Sequence, residues 1–175
     1  MFKKGEGKKN QPRVQLLGSG TILREVIAAA ELLEKEGVAA DIWSVTSFNE
    51  LRREGIAAQR WNTLHPEAPP RLSYVEQCLN EHAGPVIAAT DYVKNHAEQI
   101  RALLPGRHYS VLGTDGFGRS DTRRALRRFF EVDRNYVTVT ALKALADQEA
   151  VPQAKVSAAI RNLGIDPEKP SPTTV

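Results

Sequence analysis

The sequence predicts an α/β fold: a three-layer α/β/α domain around a mostly parallel (mixed) sheet of about five strands, with provision for one antiparallel strand. Three observations predict it. Short apolar runs with a β-branched and aromatic bias recur along the chain, as in residues 14–17, 39–45 and 85–90. Between them lie stretches with apolar residues every three or four positions, such as Ile22, Val26, Ala29, Leu32 and Leu33. Strand and helix signals alternate for most of the chain, the pattern of a parallel sheet covered on both faces.

Each element has its own justification. Residues 1–12 are rich in lysine and glycine and end at Pro12, which is the composition of a linker or disordered start. Such an opening suggests that something precedes it in a longer polypeptide. Val14–Leu17 reads as a buried strand. Gly18-Ser19-Gly20 then opens a helix from about Thr21 to Glu36, with Gly37 placed as a C-cap glycine. Ala39–Val45 is a second strand. Ser47 and Glu50 have capping-box spacing and start a short helix to about Arg53. Residues 54–72 read as irregular, and Ser73 caps a helix to about Glu81. PVIAAT is the third strand, and Tyr92–Leu104 reads as one helix with Val93, Ala97, Ile100 and Leu104 inward. His108–Leu112 is the fourth strand. Ser120 is expected to cap a helix to Phe130, with Leu126, Phe129 and Phe130 inward. Asp133 caps another helix to Gln148, and a last helix spans Gln153–Asn162. The α/β domain thus occupies residues 13–165, and residues 166–175 form a proline-rich, mobile tail.

Composition narrows the function classes. Apolar content of 41% and charged content of 26% are ordinary for a globular protein, and 175 residues suffice to bury a full core. The net charge of +3 does not compel nucleic-acid binding. One cysteine, Cys78, rules out an internal disulfide and fits a reducing, cytoplasmic setting. No apolar run approaches the length of a membrane span, and the basic opening residues lack the apolar core of a secretory signal. Neither a membrane nor a nucleic-acid partner is therefore expected.

Few motifs carry chemistry. His65, His82, His96 and His108 have no metal-ligand spacing, and Cys78 near His82 lacks further ligands, so no metal site is expected. Gly18-Ser19-Gly20 resembles half of a dinucleotide fingerprint, but Leu23 stands where the third glycine belongs. Asp41, some 20 residues on, lies inside a strand rather than at its end. A tight strand-to-helix turn accounts for the same residues. Arg119, Arg123, Arg124, Arg127, Arg128 and Arg134 form a basic cluster suited to an acidic partner or a phosphate, or equally to a solvated helix face.

The most informative segment is VLGTDGFGRSD, residues 111–121, with three glycines among residues 113–118. Asp115, Gly116, Phe117, Gly118, Arg119 and Ser120 are the candidate interface or active-site-approach loop. Gly116 and Gly118 are expected in conformations that a Cβ would strain. Asp115 and Arg119 are expected to serve a contact outside the domain.

Several segments together resemble one family. Residues 14–51 are similar to the opening of the C-terminal domain of transketolase-like, thiamine-diphosphate-dependent enzymes. TSFNEL, RWN-LHP, TDY and GTDGFGRSD narrow the resemblance to homodimeric bacterial pyruvate dehydrogenase (acetyl-transferring) decarboxylating components, over roughly residues 13–172. That resemblance implies two further domains, absent here, that bind thiamine diphosphate and magnesium at a dimer interface. The cofactor carries the decarboxylation of pyruvate, and the acetyl unit passes to the lipoyl group of dihydrolipoyl acetyltransferase. It implies no catalytic, cofactor-binding or metal-binding residue in this chain, whose role would be structural and whose isolated form would be inactive. The implied partners are the missing N-terminal domains, a homodimer partner and the acetyltransferase. The rival expectations are a stand-alone binding or regulatory module docking on the complex and a nucleotide-binding α/β domain.

Overall fold

A computed structural model describes residues 1–8 and 10–175. The strands are β1 (Arg13–Gly18), β2 (Ala39–Ser44), β3 (Val86–Ala89) and β4 (Tyr109–Leu112). The helices are α1 (Leu23–Lys35), α2 (Phe48–Leu64), α3 (Tyr74–Leu79), α4 (Lys94–Glu98), α5 (Arg123–Phe129), α6 (Arg134–Asp147) and α7 (Gln153–Asn162). All strand pairs are parallel, in the order β2-β1-β3-β4. The expected five-stranded mixed sheet is thus a four-stranded parallel one among the described residues. The antiparallel component shrinks to a single bridge between Lys3 and Ile42.

Two-residue alternation along the strands builds two cores. Val14, Leu16, Ile42, Ile87 and Ala89 face one side, against α1, α6 and α7. Leu17, Trp43, Val86 and Ala88 face the other, against α2, α3 and the segment around α4. β1, β2 and β3 are buried on both faces, which explains their nearly continuous apolar character, while β4 is fully buried only at Tyr109 and Leu112.

Three helix expectations change. The helix capped by Ser47 runs to Leu64 rather than Arg53. No proline interrupts it before Pro66, and Gly55 lies so close to Leu103 that a Cβ would sit 2.5 Å from its methyl carbons. The expected helix over 92–104 splits into α4 and a 3₁₀ turn at Arg101–Leu103. The Tyr109 hydroxyl donates to the Ala97 carbonyl at 2.7 Å. That carbonyl is the acceptor a continuous helix would offer to the Arg101 amide. The third helix, α5, begins at Arg123. Its cap is Thr122, whose hydroxyl accepts from the Ala125 amide at 3.3 Å, and Ser120 stays outside the helix. Leu126, Phe129 and Phe130, expected inward, are only half-buried.

Both ends of the chain are held. The Phe2 and Lys3 amides donate to the Ile42 carbonyl at 2.8 and 3.1 Å, and Ile42 donates back to the Lys3 carbonyl at 2.7 Å. The Gly5 amide donates to the fully buried Asp41 carboxylate at 2.9 Å. Asp41 also takes Arg13 and the Gln15 amide, and Gln15 accepts from the Trp43 indole at 2.8 Å. Residues 2–5 therefore line the outer edge of β2 instead of forming a free linker; Lys9 of the expected linker lies outside the described residues. On the opposite edge, the Arg101 guanidinium donates to the Tyr109 carbonyl at 2.8 Å. The tail is also tied down. Lys169 Nζ donates to the Phe129 carbonyl and to Glu131, both at 2.8 Å, and Pro172 is buried.

Candidate functional site

The carboxyl ends of a parallel sheet form a crevice where neighbouring strands send their helices to opposite faces. Here that point lies between β1 and β3. The chain leaving β1 enters α1 on one face, and the chain leaving β3 enters α4 on the other. Thr21 Oγ1 donates to Asp91 Oδ2 at 3.2 Å across the crevice, above a contact of 3.2 Å between the Ser19 and Thr90 hydroxyls. Gly20 takes a left-handed φ of 55°, and a Cβ there would lie 3.5 Å from the Asp91 carboxylate. Gly18 lets α1 approach, since a Cβ would come within 2.9 Å of the Leu23 Cα. Gly18-Ser19-Gly20 is thus a tight turn. The carboxylate beside Gly20 opposes a pyrophosphate at the place where a dinucleotide would put one.

The glycine loop crosses the same edge. A Cβ on Gly113 would sit 2.7 Å from the Lys94 nitrogen and the Tyr92 carbonyl oxygen. Gly116 has φ 117°, and its Cβ would meet the Pro172 carbonyl at 2.2 Å. Gly116 matches its expectation. Gly118 does not: it has no left-handed φ and faces open space. Asp115 and Arg119 both have partners within the chain. Asp115 Oδ2 accepts from the Lys94 amide at 3.0 Å, and the Arg119 guanidinium lies 4.2 Å from the centre of the Phe129 ring. Ser120 is exposed, and Phe117 is 79% exposed. Tyr92 and Val93 are exposed beside the Thr114 amide, which donates to the Tyr92 carbonyl. A cleft of about 400 Å³ lies between this loop and α5, with Thr21, Asp91, Arg119, Arg123 and Leu126 among its walls.

One functional-type residue escaped the sequence reading. Glu25 on α1 is only 5% exposed. It accepts from Arg127 Nη1 at 2.9 Å, from Arg134 Nε at 2.9 Å and from the Arg134 amide at 3.1 Å. Burial works to raise its carboxyl, but the Arg134 hydrogen bonds and the charges of Arg134 and Arg127 outweigh it and hold the carboxyl below its ordinary value. Neighbouring Asp133 goes the other way, pushed up by burial although the Tyr136 and Asn135 amides donate to it. The available signal was position: Glu25 lies three residues after Ile22 and four before Ala29, on the apolar stripe of its helix.

His108 Nε2 lies 2.8 Å from the Ser110 hydroxyl, and the other histidines pack on aromatic rings. His65 stacks on Trp61 with ring centres 4.5 Å apart, and His96 packs against Phe48 and Tyr92. Among the described residues no three His, Cys, Asp or Glu side chains converge as a metal ion would require. Asp91 and Asp115, the carboxylates of the crevice, accept from the Thr21 hydroxyl and the Lys94 amide. Among the described residues no helix is long and apolar enough to cross a membrane.

The family profile of the transketolase-like TK C-terminal domain matches residues 1–133. The chain belongs to the transketolase-like C-terminal domain family. This transketolase-like domain is 61% identical over 91% of its length to the pyruvate dehydrogenase E1 component of Pseudomonas aeruginosa, and 59% identical over 99% to that of Cupriavidus necator. The Escherichia coli (strain K12) component is 51% identical over 95%. The chain spans only 18–19% of the length of these relatives, as their C-terminal part. Solved structures agree on the fold. A split gene transketolase, described as an inactive β4 tetramer, superposes with a TM-score of 0.56 at 20% identity, covering 83% of this chain and 44% of its own. Transketolase from Leishmania mexicana gives 0.51 at 18% identity, over 81% of this chain and 17% of its own.

Proposed function

We propose that this chain is the C-terminal structural and assembly domain of a pyruvate dehydrogenase decarboxylating component in a cytoplasmic multienzyme complex. The observation that carries the reading is the 61% identity over 91% of the chain to one such component. In that setting thiamine diphosphate and magnesium would be held by the N-terminal part of the component and would supply the decarboxylation there. The chain's own residues support and orient. The exposed Phe117, Tyr92 and Val93 offer an apolar edge to a neighbouring domain or to the second subunit of a homodimer. Asp115, by holding the Lys94 amide, fixes the loop that presents Phe117. Transfer of the acetyl unit to dihydrolipoyl acetyltransferase is a property of the whole assembly.

The test is a chimaera. The matched segment of the Pseudomonas aeruginosa relative is replaced by this chain, and pyruvate decarboxylation is measured with thiamine diphosphate and magnesium. The chimaera should turn over, and the relative lacking the segment should not. A folded, dimeric chimaera without turnover overturns the proposal, as does full activity of the truncated relative.

A further inference from the structure

Five of the clustered arginines, Arg123, Arg124, Arg127, Arg128 and Arg134, wall one surface, while Arg119 lies outside it. Two adjoining grooves of about 680 and 510 Å³ run between α1, α5 and the start of α6, and share Glu25, Arg123, Arg127 and Arg134. Arg24, Arg124 and Arg128 complete the set of six arginines. The acidic side chains in the same walls are Glu25, Glu31 and Asp133. The surface therefore carries three positive charges in excess, which equals the +3 of the entire chain. Elsewhere Lys and Arg balance Asp and Glu, so this groove is where an anion is drawn.

The arginines divide into two kinds. Arg127 and Arg134 are pinned by the buried Glu25 carboxylate, and Arg128 donates to the Gly164 carbonyl. Arg24, Arg123 and Arg124 are exposed, and none bonds to another described side chain. The pinned set keeps its position without a ligand, which lowers the ordering cost of binding. The free set supplies forked donors that match carboxylates two at a time.

We infer that this groove docks an acidic polypeptide segment, an Asp- or Glu-rich stretch of a partner protein. The geometry favours that occupant over a small phosphate. The arginines are spread over two adjoining grooves, with the exposed Arg24, Arg123 and Arg124 among them, whereas a small ligand is enclosed over most of its surface. The amides at the start of α6 are already taken, that of Arg134 by Glu25 and those of Asn135 and Tyr136 by Asp133. Single-stranded nucleic acid would need exposed stacking rings, and no aromatic side chain lines either groove. The inference stands apart from the decarboxylase reading, since it uses only charge and shape.

The experiment titrates the chain with a fluorescein-labelled ten-residue poly-glutamate peptide at low salt and follows anisotropy. Saturable binding that weakens as salt is raised is expected. Arg123→Gln/Arg124→Gln should weaken it at least tenfold, while Arg52→Gln/Arg53→Gln, the same charge change on α2, should leave it within twofold. Circular dichroism of both variants checks the fold, and Arg123→Lys/Arg124→Lys should restore part of the binding. Equal loss in the two double-glutamine variants overturns the site in favour of non-specific attraction. Tighter binding of tripolyphosphate or of an oligothymidine than of the peptide overturns the occupant. Absence of saturable peptide binding overturns the inference as a whole.

Discussion

Thr122 and Ser120 show how two hydroxyl residues in one loop can be separated only by backbone geometry. Ser120 is the expected cap, yet Thr122 is the residue with extended backbone immediately before α5 and its oxygen on the Ala125 amide. Thr122→Ala should lower stability by about 1 kcal/mol in urea unfolding, as lost caps do. Ser120→Ala should stay within roughly half a kcal/mol, as surface changes do. Glu25 makes the sharper case. Its folded carboxyl lies below the ordinary 4.5, so its contribution is present above that pH and is lost as pH falls through the folded value. Glu25→Gln should cost roughly 1–3 kcal/mol at neutral pH, in line with hydrogen bonds to charged groups. It should also flatten the loss of stability below pH 4.5 relative to the parent chain. Asp133 titrates with the opposite sign, because its folded carboxyl lies above its unfolded value and protonation on acidification relieves a cost. Thermal melts of the parent chain and of Glu25→Gln across the acid range check this. An equally steep acid limb in Glu25→Gln would show that another group carries the dependence.

Elements were legible in sequence where periodicity alone decides them. β1, β2 and β3 announced themselves because both faces are buried, and α1, α6 and α7 because their apolar or small residues recur with helical period. The errors fall where a distant residue intervenes. The break after α4 depends on the Tyr109 hydroxyl, eight residues beyond the arginine whose helical acceptor it takes. Tyr109→Phe removes that donor from a buried site, and should cost about 1 kcal/mol by urea unfolding. Amide exchange at Arg101 should slow if the Ala97 carbonyl becomes available to it. Unchanged exchange would mean that the 3₁₀ turn is set by packing of Leu103 on Gly55 instead. The candidate loop was partly legible for a similar reason. Glycine density located it, and Gly116 is strained as expected. The partners of Asp115 and Arg119 lie on α4 and α5, and spacing within the loop holds no trace of them.

At the scale of the whole molecule, the two ends of the chain perform different work from the one their composition suggests. Lysine- and glycine-rich residues read as linker because nothing local orders them. Here residues 2–5 are held at β2 next to Asp41, a buried carboxylate that takes the Gly5 amide and Arg13 as partners. The proline-rich tail likewise gains its place from the Lys169 contacts and from the absence of a Cβ at Gly116. Neither dependence spans a distance that local patterns register. A four-stranded sheet has two open borders, and each could recruit a strand from another molecule and seed fibres. Residues 2–5 occupy one border, and the Arg101 guanidinium fills an acceptor on the other. These contacts act as guards against polymerisation as much as supports of the fold. Deleting residues 1–5 should leave helix content by circular dichroism nearly intact but shorten the lag before thioflavin-positive aggregates appear. Restoring only the charge of the missing segment, without its backbone, should not lengthen that lag again, because the exposed border is a row of unpaired amides and carbonyls rather than a patch of charge.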